Sequence, residues 1–140
     1  MMSFTLKKGI PALLMALVLS VVMMIGSAAA ATAQDYTIVK GDDPTQTSMA
    51  DDYAVKPASV DTDGYTTTLG FTTSILYSVN SLSISNDGGL TYTTYYGTTS
   101  GSVKNFTFPI YDFTSNTKAK IAVTVFGLYN ATYDIEFEWA

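Results

Sequence analysis

The chain has 140 residues with 12 acidic and 7 basic side chains, a net charge of −5, and no histidine or cysteine. The missing cysteines exclude disulfides, thiolate metal sites and cysteine nucleophiles, and the missing histidines exclude the commonest general base and the commonest metal ligand. A hydrolase triad that uses histidine is therefore excluded, and the acidic balance argues against nucleic acid and anionic membranes as partners.

The N-terminal segment has the three parts of a secretory signal peptide. Two lysines precede an apolar run from Ile10 to Ile25, and small residues of the A-x-A type follow. The run is about 16 residues long, whereas a spanning helix needs roughly 20, so a retained membrane anchor is the weaker alternative. We predict a signal peptide over residues 1–33, cleaved after Ala33, and one mature domain over residues 34–140 that is not inserted in a membrane.

The mature part has five lysines against twelve carboxylates, and it contains all ten tyrosines of the chain. Aromatic and β-branched residues favour strands, and no segment shows apolar residues at helical spacing over three turns. Asp63-Gly64 and the Asn-Asp-Gly-Gly run at 86–89 are typical of turns. A change of apolar parity between Val79 and Leu82 predicts a bulge.

In chain order, we predict strands at residues 36–40, 54–60, 65–71, 75–84, 90–96, 103–110, 119–126 and 132–139. The polar segment 41–53 has room for one short helical turn. About eight strands with turns at short intervals predict an all-β fold, an immunoglobulin-like antiparallel β-sandwich with one short helix after the first strand. The small-residue segment 97–102 is predicted to be a loop.

Two tyrosines, Tyr129 and Tyr133, stand four residues apart near the last predicted strand. A phenolate is a hard oxygen ligand, and tyrosine is one of the proximal ligands of haem iron. Positions i and i+4 of a regular strand lie about 13 Å apart, so we expect the two hydroxyls to meet only if the chain bends, for example in a hairpin tip at Asn130-Ala131. The alternative is that both are ordinary hairpin residues of a tyrosine-rich protein.

Two segments, in this order, resemble the NEAT domain, a haem-binding immunoglobulin-like module of Gram-positive surface proteins. The resemblance spans about Tyr36 to Trp139. Its second segment is the Tyr-x-x-x-Tyr signature at Tyr129 and Tyr133. Its first segment, a short helix leading into the second strand, matches the family's S-M-x-x-x-Y-x-x-K-P-A pattern at Ser48, Met49, Tyr53, Lys56, Pro57 and Ala58.

The resemblance implies a role for each of these positions. Tyr129 would be the axial ligand of ferric haem (iron protoporphyrin IX), and Tyr133 would hydrogen-bond to it. Ser48 would hold a propionate, and Met49 and Tyr53 would pack over the distal side of the ring. Ser48 has a purely structural alternative as a helix N-cap, and Met49 has one as a filler of a gap in the core.

The strand before the ligand would supply an apolar wall, for which we favour Ile121 and Val125. They share one parity with Val123, and the alternative is that all three belong to the sandwich core. One departure from the family is the stretch from Ser74 to Tyr77, where a tryptophan or another large aromatic residue often follows the serine. We expect the haem spectrum to depend on Tyr129 and to survive a Tyr77→Ala substitution.

The resemblance implies a haem carrier, or hemophore, that would capture or relay ferric haem at the surface of a Gram-positive bacterium, and we expect it to bind haem rather than to act as an enzyme. Its partners would be host haemoproteins or other surface haem-relay proteins. The chain shows no wall-sorting motif before Ala140, which favours a secreted carrier over a fragment of an anchored protein. The rival prediction is a β-sandwich adhesion or carbohydrate-binding module without a cofactor.

Overall fold

Two five-stranded antiparallel sheets account for most of the structure, a computed structural model that describes residues 30–140. The strands are β1 (Thr32–Gln34), β2 (Tyr36–Lys40), β3 (Ala54–Val60), β4 (Thr66–Thr72), β5 (Tyr77–Ile84), β6 (Thr93–Tyr96), β7 (Thr98–Ser100), β8 (Val103–Pro109), β9 (Thr117–Val125) and β10 (Tyr129–Trp139). A 3-10 helix over Met49–Tyr53, which we call the lip helix, separates β2 from β3. The predicted β-sandwich with one short helix is confirmed.

The two sheets have the strand orders β1-β3-β4-β8-β7 and β2-β10-β9-β5-β6. Strands that alternate apolar and polar residues turn one face inward, and the inward faces of both sheets meet in a single hydrophobic core. Its largest members, each fully buried, include Phe71 and Phe106 from one sheet and Leu82, Ile135 and Phe137 from the other. Burial of such a side chain contributes about 1.5–3 kcal/mol, so the core holds the sheets together without any disulfide.

Most predicted strands agree with the structure to within a few residues, and the bulge in β5 lies between Val79 and Ser81. The strand predicted from residue 90 begins only at Thr93. The reason is that the Asp87 carboxylate accepts hydrogen bonds from the backbone N–H groups of Leu90 and Thr91 and folds this segment into a loop. Part of the predicted loop 97–102 is strand β7, which pairs with β8.

The turn of the β9–β10 hairpin comprises residues 126–128, and β10 begins directly after it. Phe126 and Gly127 both have positive φ angles, 56° and 69°, as the central residues of a type I′ hairpin turn require. Asn130 and Ala131 lie inside β10 and pair with β9. The predicted hairpin tip at these two residues is therefore wrong: the chain already reverses at Gly127, where a missing Cβ makes positive φ favourable.

The predicted signal peptide lies, up to residue 29, outside the described residues. Strand β1 pairs Thr32, Ala33 and Gln34 with β3, so cleavage after Ala33 would divide this strand. The position of the cleavage site stays a prediction. Between residues 30 and 140, no helix is long and apolar enough to cross a membrane.

Candidate functional site

Three segments meet at one end of the sandwich, which we call the tyrosine end. They are the lip helix, the β4–β5 loop (residues 73–76) and the β9–β10 turn (residues 126–128). The backbone N–H of Phe126 donates to the carbonyl oxygen of Leu76 over 2.9 Å and joins the turn to the loop.

Tyr129 and Tyr133 point to the same side of β10 as the core residues that follow them. In the β9–β10 pair Tyr129 lies opposite Val125, and Tyr133 lies opposite Ile121. Residues 135 and 137 share this parity and are buried in the core, whereas Tyr129 and Tyr133 are 58% and 51% exposed. The inward-facing side of β10 therefore extends past the edge of the core, and the two tyrosines on this part of the strand are accessible to solvent.

The lip helix is fixed to the sandwich by contacts at its first turn. The hydroxyl oxygen of Ser48 accepts from the N–H of Ala50 over 3.2 Å, as an N-cap does, and Ala50 is buried. The carboxylate of Asp51 accepts from the N–H of Ile38 at 2.9 Å and forms an ion pair with Lys56 at 2.7 Å. The structural alternative for Ser48 thus applies, and its hydroxyl hydrogen is still available as a donor.

At its C-terminal end the lip helix contacts a tyrosine that sequence reasoning did not place in the site. The rings of Tyr53 and Tyr77 stack with centroids 3.9 Å apart. Burial, and then the neighbouring phenols of Tyr53 and Tyr133, raise the pKa of Tyr77 to about 12. Tyr77 also faces Val125 across the sheet, and Val125 in turn faces Tyr129.

Four tyrosines, from three separate parts of the sequence, therefore line the tyrosine end: Tyr53, Tyr77, Tyr129 and Tyr133. Tyr77 cannot serve as a control remote from the site. The sequence did indicate that Tyr77 points to the same side of its predicted strand as Val79. Only the register between β5 and β9, however, shows which other tyrosines Tyr77 approaches.

The remaining predicted site residues differ in how they are exposed. Met49, at the start of the lip helix, is 74% exposed, and Ile121 is only 1% exposed and belongs to the core. Val125 is partly buried and packs against the core edge. Val125 thus presents surface to a ligand at this end, whereas Ile121 fits its alternative role as a core residue.

The described residues do not form a carboxylate cluster that could bind a bare iron ion. In the part of the chain that the structure describes, no group of three or more carboxylates could hold a metal ion. The tyrosine end instead offers two accessible phenols with apolar surroundings. Such a donor set suits an iron that arrives with its equatorial ligands already filled.

The sequence profile of the NEAT family, described as the iron transport-associated domain, matches residues 29–139. The chain belongs to the NEAT family. This match covers the lip segment and the Tyr-x-x-x-Tyr signature together, and it confirms the resemblance that the two motifs indicated. Among curated proteins, no sequence matches this NEAT protein at a significant level.

Solved structures of other NEAT domains share its fold. The NEAT5 domain of IsdX2, a B. anthracis hemophore in complex with haem, superposes with a TM-score of 0.65 at 18% identity, over 79% of this chain and 94% of that one. A mutant of the same IsdX2-NEAT5 domain, also in complex with haem, superposes with the same TM-score and identity, over 79% and 93% of the two chains. At this identity the likeness establishes the fold.

Proposed function

We propose that this NEAT protein binds ferric haem at its tyrosine end, with the phenolate oxygen of Tyr129 as the axial ligand of the iron. The observation that carries the proposal is that Tyr129 and Tyr133 share the inner face of β10 and are both about half exposed, just where the core ends. The haem complexes of the two IsdX2 structures support it.

The residues at this end fit the chemistry of haem. A haem is a flat apolar disc with two carboxylates on one edge, so a site for it needs apolar surface, a hard ligand for Fe(III) and a polar rim. Val125 and Met49 supply partly or largely exposed apolar surface. Tyr129 supplies a hard oxygen donor, which favours the ferric over the ferrous state, and Ser48 supplies a hydroxyl donor for a propionate.

The second phenol has a different role. When bound, haem supplies a Lewis-acidic iron that favours the deprotonated form of a phenol in contact with it. The hydroxyl of Tyr133 would donate a hydrogen bond to the Tyr129 oxygen and would stabilise its negative charge further. Both residues lie on one regular strand, about 13 Å apart along the backbone, so this hydrogen bond would require the two rings to lean toward each other. The hydrogen bond between them stays a prediction.

Met49 and Tyr53, at the two ends of the lip helix, would cover the distal side of the ring. The Tyr53–Tyr77 stack extends this cover toward β5, which is how Tyr77 would substitute for the larger aromatic residue of the family pattern. These residues bind and orient the ligand. No residue of the site is assigned a catalytic step, and the protein acts as a carrier.

A carrier of this kind would take haem from a donor protein and pass it to an acceptor at the surface of a Gram-positive bacterium. Host haemoproteins and other haem-relay proteins are the partners that fit this role. Tyr129 would hold the iron through one hard anionic oxygen, a ligand type that favours Fe(III) over Fe(II).

The test is a titration of the secreted protein with ferric haem, followed by its visible spectrum. We expect a saturable Soret band in the wild type and in Tyr96→Phe, a matched control because Tyr96 is 78% exposed on strand β6. Loss of a hydrogen-bonding partner of a metal ligand typically costs about 10- to 100-fold in affinity. Tyr133→Phe should fall in that range, and Tyr129→Phe should lose more.

Two results would contradict the proposal at different levels. A Tyr129→Phe variant with the affinity and spectrum of the wild type would reject Tyr129 as the ligand. A wild type without any spectral change would reject haem binding, and would leave the adhesion or carbohydrate-binding alternative.

A further inference from the structure

A groove crosses the outer face of the sheet β2-β10-β9-β5-β6, on the side away from the proposed haem site. Whereas Tyr133 lies on the inner face of β10, Asp134 and Glu136 have the opposite parity and lie on its outer face. The groove passes over β9 and β10, between Tyr92 on one side and Gly41 on the other, and has a volume of about 160 Å³. A Cβ at residue 41 would come within 2.7 Å of the Asp134 backbone, so only a glycine can border the groove this closely.

Two ion pairs bridge β9 and β10 in the groove. The Nζ of Lys120 donates to the Asp134 carboxylate over 2.7 Å, and the Nζ of Lys118 donates to the Glu136 carboxylate over 3.1 Å. Glu136 also accepts from the Asn116 amide at 3.1 Å and is only 7% exposed, although glutamate is among the residues that are most often exposed. A carboxylate has about four lone-pair sites, so with these two donors Glu136 can still accept further hydrogen bonds.

Beside the groove, strand β6 places an exposed aromatic ring on the same outer face. Thr94, whose hydroxyl bonds to that of Ser83 over 2.8 Å, shares this face with Tyr96, which is 78% exposed. The next residues across the sheet from Tyr96 are Ser81 and then Ala122. Their side chains are too small to cover the Tyr96 ring, so the ring borders a shelf of small side chains next to the groove.

The chemistry of this outer face suits an uncharged, polyhydroxylated ligand. The four charges in the groove cancel within two ion pairs, so the groove has no net charge to attract an ion. A sugar hydroxyl both donates and accepts and can therefore bond to both members of such a pair. The C–H groups on the face of a sugar ring can pack on an aromatic ring. A protein interface centres on a well-packed apolar cluster, whereas this face is formed by hydroxyls, ion pairs and separate rings.

We propose that the outer face binds a neutral oligosaccharide, with one sugar ring stacked on Tyr96 and the next bound in the groove by Lys120 and Asp134. The buried Glu136 would accept a hydrogen bond from a hydroxyl of the same sugar. Tyr92 and Tyr96 lie four residues apart, at most about 13 Å in an extended chain, so the site spans more than one sugar unit. The haem site and this site use opposite faces of β10, and neither depends on the other.

The test uses haem-free protein and isothermal titration calorimetry with three neutral hexasaccharides: cellohexaose, N-acetylated chitohexaose and maltohexaose. The panel covers β-linked, N-acetylated and α-linked chains. The wild type is compared with Tyr96→Ala, Asp134→Asn and Tyr111→Ala. Tyr111 is a matched control because it is a tyrosine of similar exposure, 67%, that packs against Tyr65 beside the other sheet.

We expect at least one hexasaccharide to bind the wild type and Tyr111→Ala with equal affinity. Tyr96→Ala and Asp134→Asn should each bind it about tenfold more weakly, because the first loses the stacked ring and the second loses a charged hydrogen-bond acceptor. Binding should be nearly independent of salt, since the ligand carries no charge. An unchanged thermal midpoint shows that each variant is folded, and a failure of haem binding would leave these expectations as they are.

The proposal would be overturned if the wild type bound none of the three hexasaccharides, or if all four chains bound them with equal affinity. Binding of dextran sulfate in place of the neutral sugars would also overturn it, because the lysines of the groove would then serve an anionic ligand.

Discussion

The rings of Tyr53 and Tyr77 stack face to face, with their planes 10° from parallel. The stack joins the end of the lip helix to the start of β5, two elements that belong to different parts of the fold. Both rings belong to the tyrosine end, where we propose that haem binds. The position of the lip helix is thereby coupled to the sheet that carries Tyr129 and Tyr133.

We expect this coupling to be measurable in a double-mutant cycle of Tyr53→Ala and Tyr77→Ala. Aromatic pairs contribute about 0.5–1.5 kcal/mol beyond the burial of their surface, and urea unfolding of the four proteins gives the interaction energy. Haem affinity should fall in each single variant, because both rings would support the distal cover.

Tyr65 and Tyr111 provide the matched control pair. Their rings are 5.4 Å apart, and both residues lie at the opposite end of the sandwich. Alanine at either position should leave haem affinity unchanged. An interaction energy of zero for Tyr53 and Tyr77 would show that their stacking does not stabilise the lip.

Asp51 is expected to determine where the lip helix sits. Asp51→Ala removes the acceptor of the Ile38 N–H and the partner of Lys56, and an unsatisfied buried donor costs about 1–3 kcal/mol. Urea unfolding should show this loss, and haem titration should show weaker binding. Asp52→Ala is the control, because Asp52 is the exposed neighbour in the same helix. Equal effects of the two substitutions would contradict an anchoring role for Asp51.

Stability should decline in alkaline solution, and Tyr77 should contribute to the decline together with the buried Tyr36, whose pKa burial also raises. Burial raises the pKa of the Tyr77 phenol from 10.0 to about 12, so the folded state favours the neutral form. The contribution is fully present below pH 10 and is lost as the pH rises from about 10 to about 12. Chemical unfolding at a series of pH values should show a shallower decline for Tyr77→Phe than for the wild type. A Tyr77→Phe slope equal to that of the wild type would reject this assignment.

The β9–β10 turn should become more stable without its phenylalanine. Asparagine accepts the left-handed conformation more readily, so Phe126→Asn should raise the free energy of unfolding by about 1 kcal/mol. Leu128→Asn, at a residue without a positive φ, should bring no such gain. A destabilised Phe126→Asn variant would show that the ring contributes packing.

Several elements follow from local sequence alone. The strands at Tyr36–Lys40 and Ala54–Val60 were predicted with the bounds that the structure shows, because alternation of apolar residues and turn-forming neighbours act within a few residues. The lip segment and the tyrosine signature could likewise be recognised in the sequence, and together they indicated the family. The hairpin tip was misplaced because Asn130 and Ala131 can occupy either a turn or a strand, and the choice was made by pairing with β9.

The sequence by itself determined an acidic, cysteine-free β-sandwich with a tyrosine pair near its last strand, because composition and period-two patterning are properties of the chain. Tertiary structure alone decided that Tyr77 joins that pair, that Ile121 is buried whereas Val125 reaches the surface, and that the β4–β5 loop lies beside the β9–β10 turn. These relations depend on sheet register and on which loops share an end of the sandwich. Both are set by contacts between residues far apart in the chain, which no local pattern encodes.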